Sequence, residues 1–250
     1  MKKWTKVCIL ILLIMILHPL VSFAAEDTDV LGFLFDTDGD PQGTVDTVKL
    51  FILLTVLSLA PAFLILTTCF TRIIVVLSFV RSGLGTQQTP PNQLLIGLAL
   101  FLTFFIMQPV YHQVMDEAIT PFINEEITQK EAMEIAEEPL KEFMLKETRE
   151  KDLALFVKAS GIEEVQEPMD IPLTTVIPAF AISELKTAFS IGFIVFIPFL
   201  VIDMVVASIL MSMGMFMLPP VMISLPFKIL LFVLVDGWYL VVESLIESFV

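Results

Sequence analysis

The residues of this chain best placed to do chemistry are charged side chains that stand alone inside apolar runs. Asp203 and Asp236 interrupt stretches that are otherwise almost free of charge, and an unpaired charge inside a membrane costs at least about 2.5 kcal/mol. These two carboxylates must therefore face protein, water or a basic partner. A proton relay would need a second titratable group one helical turn away, and no acid, base or histidine stands there. An ion pair between subunits or a contact at a helix end is the interpretation that we favour.

Three other charged residues have the same expected role. Glu184 and Lys186 lie two positions apart, so on a helix they point to different sides and pair with different neighbours. Lys228 is, apart from Asp203, the only charge between residues 187 and 235. We therefore expect five charges that hold helices or subunits together: Glu184, Lys186, Asp203, Lys228 and Asp236.

A catalytic or metal centre is not predicted. His18 and His112 are isolated, and Cys8 lies in a segment that we expect to be removed, which leaves Cys69 alone. A single cysteine forms no intrachain disulfide, and the chain has no metal-ligand spacing. No nucleophile is paired with a base. The sequence therefore favours a protein that is not an enzyme and has no cofactor.

A run of alternating methionines is the most unusual feature of the sequence. Met211, Met213, Met215 and Met217 are separated by small or apolar residues, and the run stops before Pro219-Pro220. This spacing scatters side chains around a helix but points them one way in an extended loop. Flexible thioethers suit a surface that must seal and then adapt to varied chains. The four methionines are interpreted either as filling of a core or as a gasket around a pore.

Long apolar segments must position these residues. The chain is 56% hydrophobic and 17% charged, with a mean hydropathy of +0.88, whereas globular proteins are about 25% charged. A membrane-spanning helix needs roughly 20 apolar residues. The sequence therefore predicts an all-α membrane protein built of apolar helical hairpins. The apolar segments are Leu50–Leu66, Leu94–Val110, Thr187–Met211 and Phe227–Glu247.

The N-terminus has the features of a cleaved signal peptide. Lysines precede an apolar core from Val7 to Leu17, which is short for a membrane span. Ser22-Phe23-Ala24 then places small residues at the two positions that a signal peptidase reads. We expect cleavage between Ala24 and Ala25, with an uncleaved anchor helix as the alternative.

Most of the negative charge lies in one block. Of the net charge of −14, residues 116–170 carry −10, from 16 acidic and six basic residues. Such a block repels nucleic acid and anionic headgroups, so no nucleic-acid partner is expected. Thr128 and Glu131 fit a capping box at the start of a helix. Pro139 suits the first turn of a second helix, which Gly161 would end. The apolar stripe of this helical hairpin is expected to pack within the same protein.

The basic residues predict an orientation. Arg72, Arg81 and Lys228 fall near cytoplasmic faces if both termini and the acidic block lie outside, which agrees with the positive-inside rule. The predicted organisation has five parts. They are a cleaved signal peptide at 1–24, a mature periplasmic segment at 25–48, a first apolar hairpin with a basic cytoplasmic loop at 49–111, an acidic periplasmic helical segment at 112–186, and a second apolar hairpin with a methionine-rich loop at 187–250.

Several stretches of the sequence resemble signatures of the FliP family, whose members are export-gate subunits of flagellar and virulence type III secretion. Together they cover most of residues 50–245. One departure is Ser190, where the family's central motif usually has a longer polar or charged residue. The matching stretches are Arg72–Arg81 with Leu84-Gly85-Thr86 and Pro90–Gln93, then Pro178–Phe189, and Met211–Trp238, while Pro139–Phe156 resembles the family's periplasmic helices.

The resemblance implies a function and an assembly. It implies a subunit that joins FliQ, FliR and other export-apparatus membrane components in a gate through which unfolded flagellar proteins leave the cytoplasm. It also implies the bacterial inner membrane and the flagellar basal body as location, with a homo-oligomeric, pentameric and helical ring raised toward the periplasm. In such a ring, apolar hairpins pack on neighbouring subunits. Composition does not reveal this, because subunit interfaces and lipid-facing surfaces are both apolar.

Two other classes of function compete with an export gate. A small-solute transporter or channel predicts inverted repeats and broken helices with polar groups at mid-depth, and no repeat relates the two halves of this sequence. An intramembrane enzyme needs a nucleophile with its base, or a metal cluster, and the sequence shows neither.

Overall fold

The computed structural model describes residues 41–86, 88–162 and 167–249. The predicted signal peptide, its cleavage site at Ala24 and Ala25, and most of the segment 25–48 lie outside these residues. The chain divides into two compact units between Ala60 and Pro61. In the first unit, the described side chains from Val48 onward are exposed. The remaining helices belong to the second unit.

Every regular element of the described residues is helical, and those residues contain no strand. A π-helical turn at Val114–Ile119 joins α4 to α5, and a 3-10 turn at Pro168–Asp170 precedes α8. The α-helices are α1 (Pro41–Thr67), α2 (Phe70–Leu84), α3 (Asn92–Ile106), α4 (Gln108–Gln113), α5 (Thr120–Ile123), α6 (Gln129–Glu147), α7 (Glu150–Ser160), α8 (Leu173–Ser212), α9 (Pro220–Leu234) and α10 (Gly237–Glu247).

Within the described ranges, two helices are long and apolar enough to cross a membrane, α1 from Val48 to Thr67 and α8 over its whole length. The number rises to four if each of two bent pairs is one span. These pairs are α3 with residues 108–123, bent by 56°, and α9 with α10, bent by 62°. The two long helices and the two bent pairs together correspond to the four predicted apolar segments. The prediction of an all-α membrane protein is confirmed.

The packing of α2 against α8 forms the centre of the second unit. Two glycines permit the close approach, one on each helix. A Cβ on Gly83 of α2 would lie 2.5 Å from the Phe199 ring of α8. A Cβ on Gly192 of α8 would lie 2.5 Å from the Phe79 ring of α2. Each helix therefore inserts an aromatic ring into the space that the other leaves by lacking a side chain.

The main apolar cluster surrounds this helix pair and draws in α3 and α10. Helix α2 contributes its fully buried face, α3 contributes Leu95 and Ala99, and α10 contributes Val241 and Leu245. Phe249, just beyond α10, is buried in the same cluster. Helix α10 is therefore part of the core through its side chains. Its closest backbone contacts are with α9.

Helices α6 and α7 follow each other in the segment predicted as the acidic hairpin, and each of them packs on α8. The Thr128 N–H donates to the Glu131 carboxylate over 2.8 Å, and the Glu131 N–H donates back to the Thr128 hydroxyl, so the predicted capping box is confirmed. The Thr128 N–H also holds the pKa of Glu131 below its ordinary value. Gly161, at φ 70°, ends α7 as predicted.

The predicted start of the second helix at Pro139 is wrong. Pro139 is buried inside α6, and the chain leaves the helix only at Thr148 and Arg149, both of which are extended. A proline favours the first helical turn because it lacks an N–H, but this one is buried inside α6, and the packing of that helix on neighbouring elements outweighs its local preference. The hairpin packs on the first turns of α8, where Val176 and Phe180 are buried with Met144.

Helix α8 is continuous for 40 residues. The boundary that the sequence suggested at residue 187 lies inside this helix. Val176 and Phe180 in its first third are buried with Met144 of α6, whereas later turns expose apolar side chains such as Phe193, Val201 and Met204. The composition of α8 changes near residue 187, but its backbone does not break there. The predicted boundary therefore marks a change in the surroundings of one helix and not the start of a new helix.

The chain breaks sharply between α9 and α10. Asp236 has φ 50° and ψ 53°, in the left-handed region. Gly237 follows, and a Cβ there would lie 2.3 Å from the Phe232 ring. Any side chain at Gly237 would therefore force α9 and α10 apart at the bend.

Candidate functional site

Arg72 lies at the centre of a buried charge cluster that joins four chain segments. It is only 2% exposed, and its Nε donates to Glu184 Oε2 over 2.9 Å. Its Nη2 donates to the other Glu184 oxygen and, over 2.7 Å, to Glu147 Oε2 at the end of α6. Its Nη1 donates to the Ser248 carbonyl over 2.9 Å. The guanidinium also lies 3.8 Å from the ring centroid of Phe249.

A neighbouring polar contact fixes the start of α7 to the same part of α8. The Ser183 hydroxyl is fully buried, donates to Asp152 Oδ2 over 2.7 Å, and accepts from the Arg149 N–H over 3.1 Å. Two adjacent residues of α8 therefore contact the acidic segment, Ser183 directly and Glu184 through Arg72. A fork of five N–H donors suits Arg72 to this role, because it can engage carboxylates and a carbonyl at once.

A second buried pair joins α8 to α9. Lys228 is 2% exposed, and its Nζ donates to Asp203 Oδ2 over 2.6 Å. The Ser224 hydroxyl, one turn before Lys228, donates to the other oxygen of Asp203. Gly85, which ends α2 at φ 76°, lies beside this pair, since a Cβ there would be 3.7 Å from Lys228 Nζ, an ordinary van der Waals distance. This pair holds the two limbs of the second apolar hairpin together within one chain.

The methionine run forms the exposed turn between these limbs. Met211, Met213, Met215 and Met217 are 58%, 66%, 38% and 97% exposed. Gly214, at φ 75°, turns the chain after α8. Met211 lies in the last turn of α8 and the other three methionines follow that helix, so the run is not one continuous helix. None of the four fills this chain's own core, and Phe216 beside them is also exposed.

The remaining predicted charges are placed differently from one another. Lys186 is exposed on α8, and no described carboxylate lies within ion-pair distance of it. Asp236 is exposed at the α9–α10 bend and caps no backbone N–H with its side chain. Of the five predicted charges, only Asp203 and Lys228 pair with each other, while Glu184 pairs with Arg72.

The role of Arg72 is not recognisable from the sequence pattern, which predicts Arg72 and Lys228 as markers of the cytoplasmic boundary. In the structure both side chains are buried and paired with carboxylates. Arg81 is the third residue predicted to mark the cytoplasmic boundary, and its guanidinium donates to the Asn92 side chain. One available sign was that Glu184 has no base one helical turn away, so its partner had to be distant in sequence.

The described part of the chain contains no group of three or more His, Cys, Asp or Glu side chains that could hold a metal ion. Two open cavities in this part of the chain are apolar. One of about 470 Å³ lies between α2 and α8 beside Phe79 and Phe193. The other, of about 420 Å³, lies between α8, α9 and α10 beside Val195 and Leu240. Neither of these two cavities is lined by a charged side chain.

Comparison with known proteins gives one consistent result. Residues 53–245 match the FliP family. The chain is 66% identical over 213 residues to the flagellar biosynthetic protein FliP of Bacillus subtilis, an alignment that covers 85% of this chain and 96% of that one. It is 57% identical over 203 residues to FliP of Pectobacterium carotovorum, covering 81% and 79%. It is 55% identical over 207 residues to FliP of Aquifex aeolicus, covering 82% and 87%.

Proposed function

This chain belongs to the FliP family and is a membrane-embedded component of the flagellar protein export apparatus, and on that basis we propose that it builds the export gate with FliQ and FliR. Unfolded flagellar proteins would leave the cytoplasm through this gate. The proposal places the chain in the bacterial inner membrane at the flagellar basal body, as a homo-oligomeric ring without catalysis of its own. Other components of the apparatus would supply the energy.

The exposed apolar surface supports assembly into a larger complex. Rows of large apolar side chains on α3, α8 and α9 are open in the single chain, including Phe101, Phe193 and Val233. Soluble monomers rarely expose apolar patches of this extent. In a membrane complex, lipid covers part of such a surface and neighbouring subunits cover the rest. The buried charges of Arg72 and Lys228, by contrast, are already paired with carboxylates within the chain.

The methionine turn is the proposed seal. Its four thioethers are exposed together at one end of the second hairpin, and this observation carries the proposal. Several copies around a pore would stack these side chains at one level. A hydrophobic constriction blocks ions by dewetting, and unbranched methionine side chains can move aside for a passing polypeptide.

Replacing Met213 and Met217 with alanine should produce a gate that exports but leaks ions. The shorter side chains widen the constriction and leave the buried pairs intact. The measurement is membrane potential together with the amount of assembled complex, in cells that produce the chain with its sister subunits. Met133→Ala, at an equally exposed methionine on α6, should change neither. Met144→Ala, at a buried methionine, should lower assembly without a leak. A Met213/Met217 variant that assembles poorly and stays tight contradicts the seal.

We propose that the acidic hairpin faces the periplasm. A cysteine at Glu134, whose side chain is 65% exposed, should react with a membrane-impermeant maleimide in cells whose outer membrane is permeable. A cysteine at Gln88, exposed in the connector between α2 and α3, should react only after the inner membrane is lysed. Both variants carry Cys69→Ser. The opposite labelling pattern would invert the proposed orientation.

Cleavage of the N-terminus between Ala24 and Ala25 also remains a proposal. It agrees with a periplasmic N-terminus on the same side as the acidic hairpin. Intact-mass measurement of the protein extracted from membranes should give a chain that begins at Ala25. A mass that includes Lys2 would identify an uncleaved anchor helix instead.

A further inference from the structure

The last described residues of the chain contact two other segments, α2 and α6. The Ser248 carbonyl and hydroxyl accept from Arg72 Nη1 over 2.9 and 3.2 Å. The Phe249 ring lies under the Arg72 guanidinium and stacks on Phe143 of α6 at 6.4 Å between centroids. Lys146 Nζ donates to the Phe249 carbonyl over 3.4 Å. The turn after α10 therefore touches α2 and α6 through both its backbone and its aromatic ring.

Arg72 divides its donors between two kinds of partner. Its Nε and Nη2 are used by the carboxylates of Glu184 and Glu147, whereas both bonds of Nη1 go to Ser248. Without the C-terminal turn, Nη1 would lose its acceptors in a buried position. A buried donor left without an acceptor is strongly disfavoured, so Arg72 and the turn stabilise each other.

The segment that these contacts hold is the limb that follows the methionine turn. Helices α9 and α10 are fastened near the turn by the Lys228–Asp203 pair and at the far end by Ser248 on Arg72. Between these two polar contacts lies the apolar cavity of about 420 Å³, beside the bend at Asp236. Within one chain this limb therefore has a polar contact at each end, an open apolar cavity between them, and Val241 and Leu245 buried in the core.

We propose that Ser248 and Phe249 form a C-terminal clasp, and that Arg72 is the positioning residue that closes it. The clasp holds α10 against α2 and α6 and thereby sets the course of the limb that leads back from the methionine turn. Arg72 would act through Ser248 and Phe249, without contact to an exported chain. The proposal does not depend on the methionine seal, because it concerns the far end of the limb.

The test measures the burial of α10 directly, in the full complex in membranes. Leu245 on α10 and Ala99 on α3 are both fully buried in the same apolar cluster. Each is replaced singly with cysteine in a Cys69→Ser background, and the rate of reaction with N-ethylmaleimide is measured. Ending the chain after Glu247 should raise the rate at Leu245→Cys at least tenfold and leave the rate at Ala99→Cys unchanged.

A second, full-length variant keeps the test decisive if the shortened chain does not accumulate. Arg72→Lys keeps a positive charge for Glu184 and Glu147, but its three N–H donors sit on one nitrogen and cannot replace the separate Nη1 that bonds Ser248. It should expose Leu245→Cys as the truncation does, and combining the two changes should add nothing, because they break the same clasp. Continued protection of Leu245→Cys in both variants overturns the proposal. Equal exposure of both reporter cysteines also overturns it, because it would indicate general unfolding, and so would additive effects.

Discussion

Asp203→Asn should abolish flagellar export and should be more damaging than Lys228→Met. Removal of the Asp203 charge leaves Lys228 unpaired at 2% exposure, and breaking a buried ion pair from one side costs about 3–5 kcal/mol. Removal of Lys228 leaves a carboxylate whose side chain is 23% exposed and still accepts from Ser224. This second loss should be smaller, about 1–3 kcal/mol.

The measurement is secretion of flagellar subunits into the medium, with the assembled complex quantified in the same membranes. The double variant Asp203→Asn, Lys228→Met should recover part of the assembly lost in Asp203→Asn alone, because no buried charge is left without a partner. Equal damage from the two single variants, or no recovery in the double variant, would show that the pair does not govern the packing of α8 on α9.

Gly192→Ala should disrupt the contact between α2 and α8, although alanine is ordinarily the better helix former. The added Cβ would lie 2.5 and 2.6 Å from two ring carbons of Phe79 and 3.0 Å from its Cβ, so the whole side chain and not only its tip stands in the way. Overpacking of this kind costs about 1–3 kcal/mol. Gly83→Ala meets the Phe199 ring and should act in the same direction.

Gly97→Ala on α3 is the matched control, since no atom lies within 4 Å of a Cβ there. This variant should be neutral or up to about 1 kcal/mol more stable, as expected for glycine to alanine inside a helix. Thermal stability of the detergent-solubilised complex compares the three variants. Phe79→Ala combined with Gly192→Ala should recover stability relative to Gly192→Ala alone. A stable Gly192→Ala variant would contradict the close approach of the two helices.

Local features of this fold could be predicted from the sequence, because their causes lie within a few residues. Thr128 and Glu131 satisfy each other's backbone across three positions, and Gly161 adopts a left-handed conformation that ends a helix. The apolar segments can also be identified from composition alone. Pro139 shows the limit, because its effect depends on whether neighbouring helices stabilise the turn that it weakens.

The sequence predicts that these buried charges have partners, but it does not identify which residues the partners are. Glu184 lies 112 positions from Arg72, and Asp203 lies 25 positions from Lys228. Each is an isolated charge in apolar surroundings, which predicts a partner without identifying it. The partner is determined by the register of α8 against α2 and α9. That register depends on glycine–aromatic contacts such as Gly192 on Phe79, which leave no recognisable pattern in a single sequence.

The length of α8 has a geometric consequence for how this chain can change over time. With a rise of about 1.5 Å per residue, its 40 residues extend about 60 Å, twice the roughly 30 Å of a bilayer's hydrocarbon layer. Glu184 and Asp203 engage separate partners on this one rod. Adding or removing one residue between them would rotate one end against the other by about 100°. Helix α8 therefore fixes the rotational register of Glu184 relative to Asp203. Substitutions can change the contacts at either end, but an insertion or deletion between them would turn one of the two side chains away from its partner.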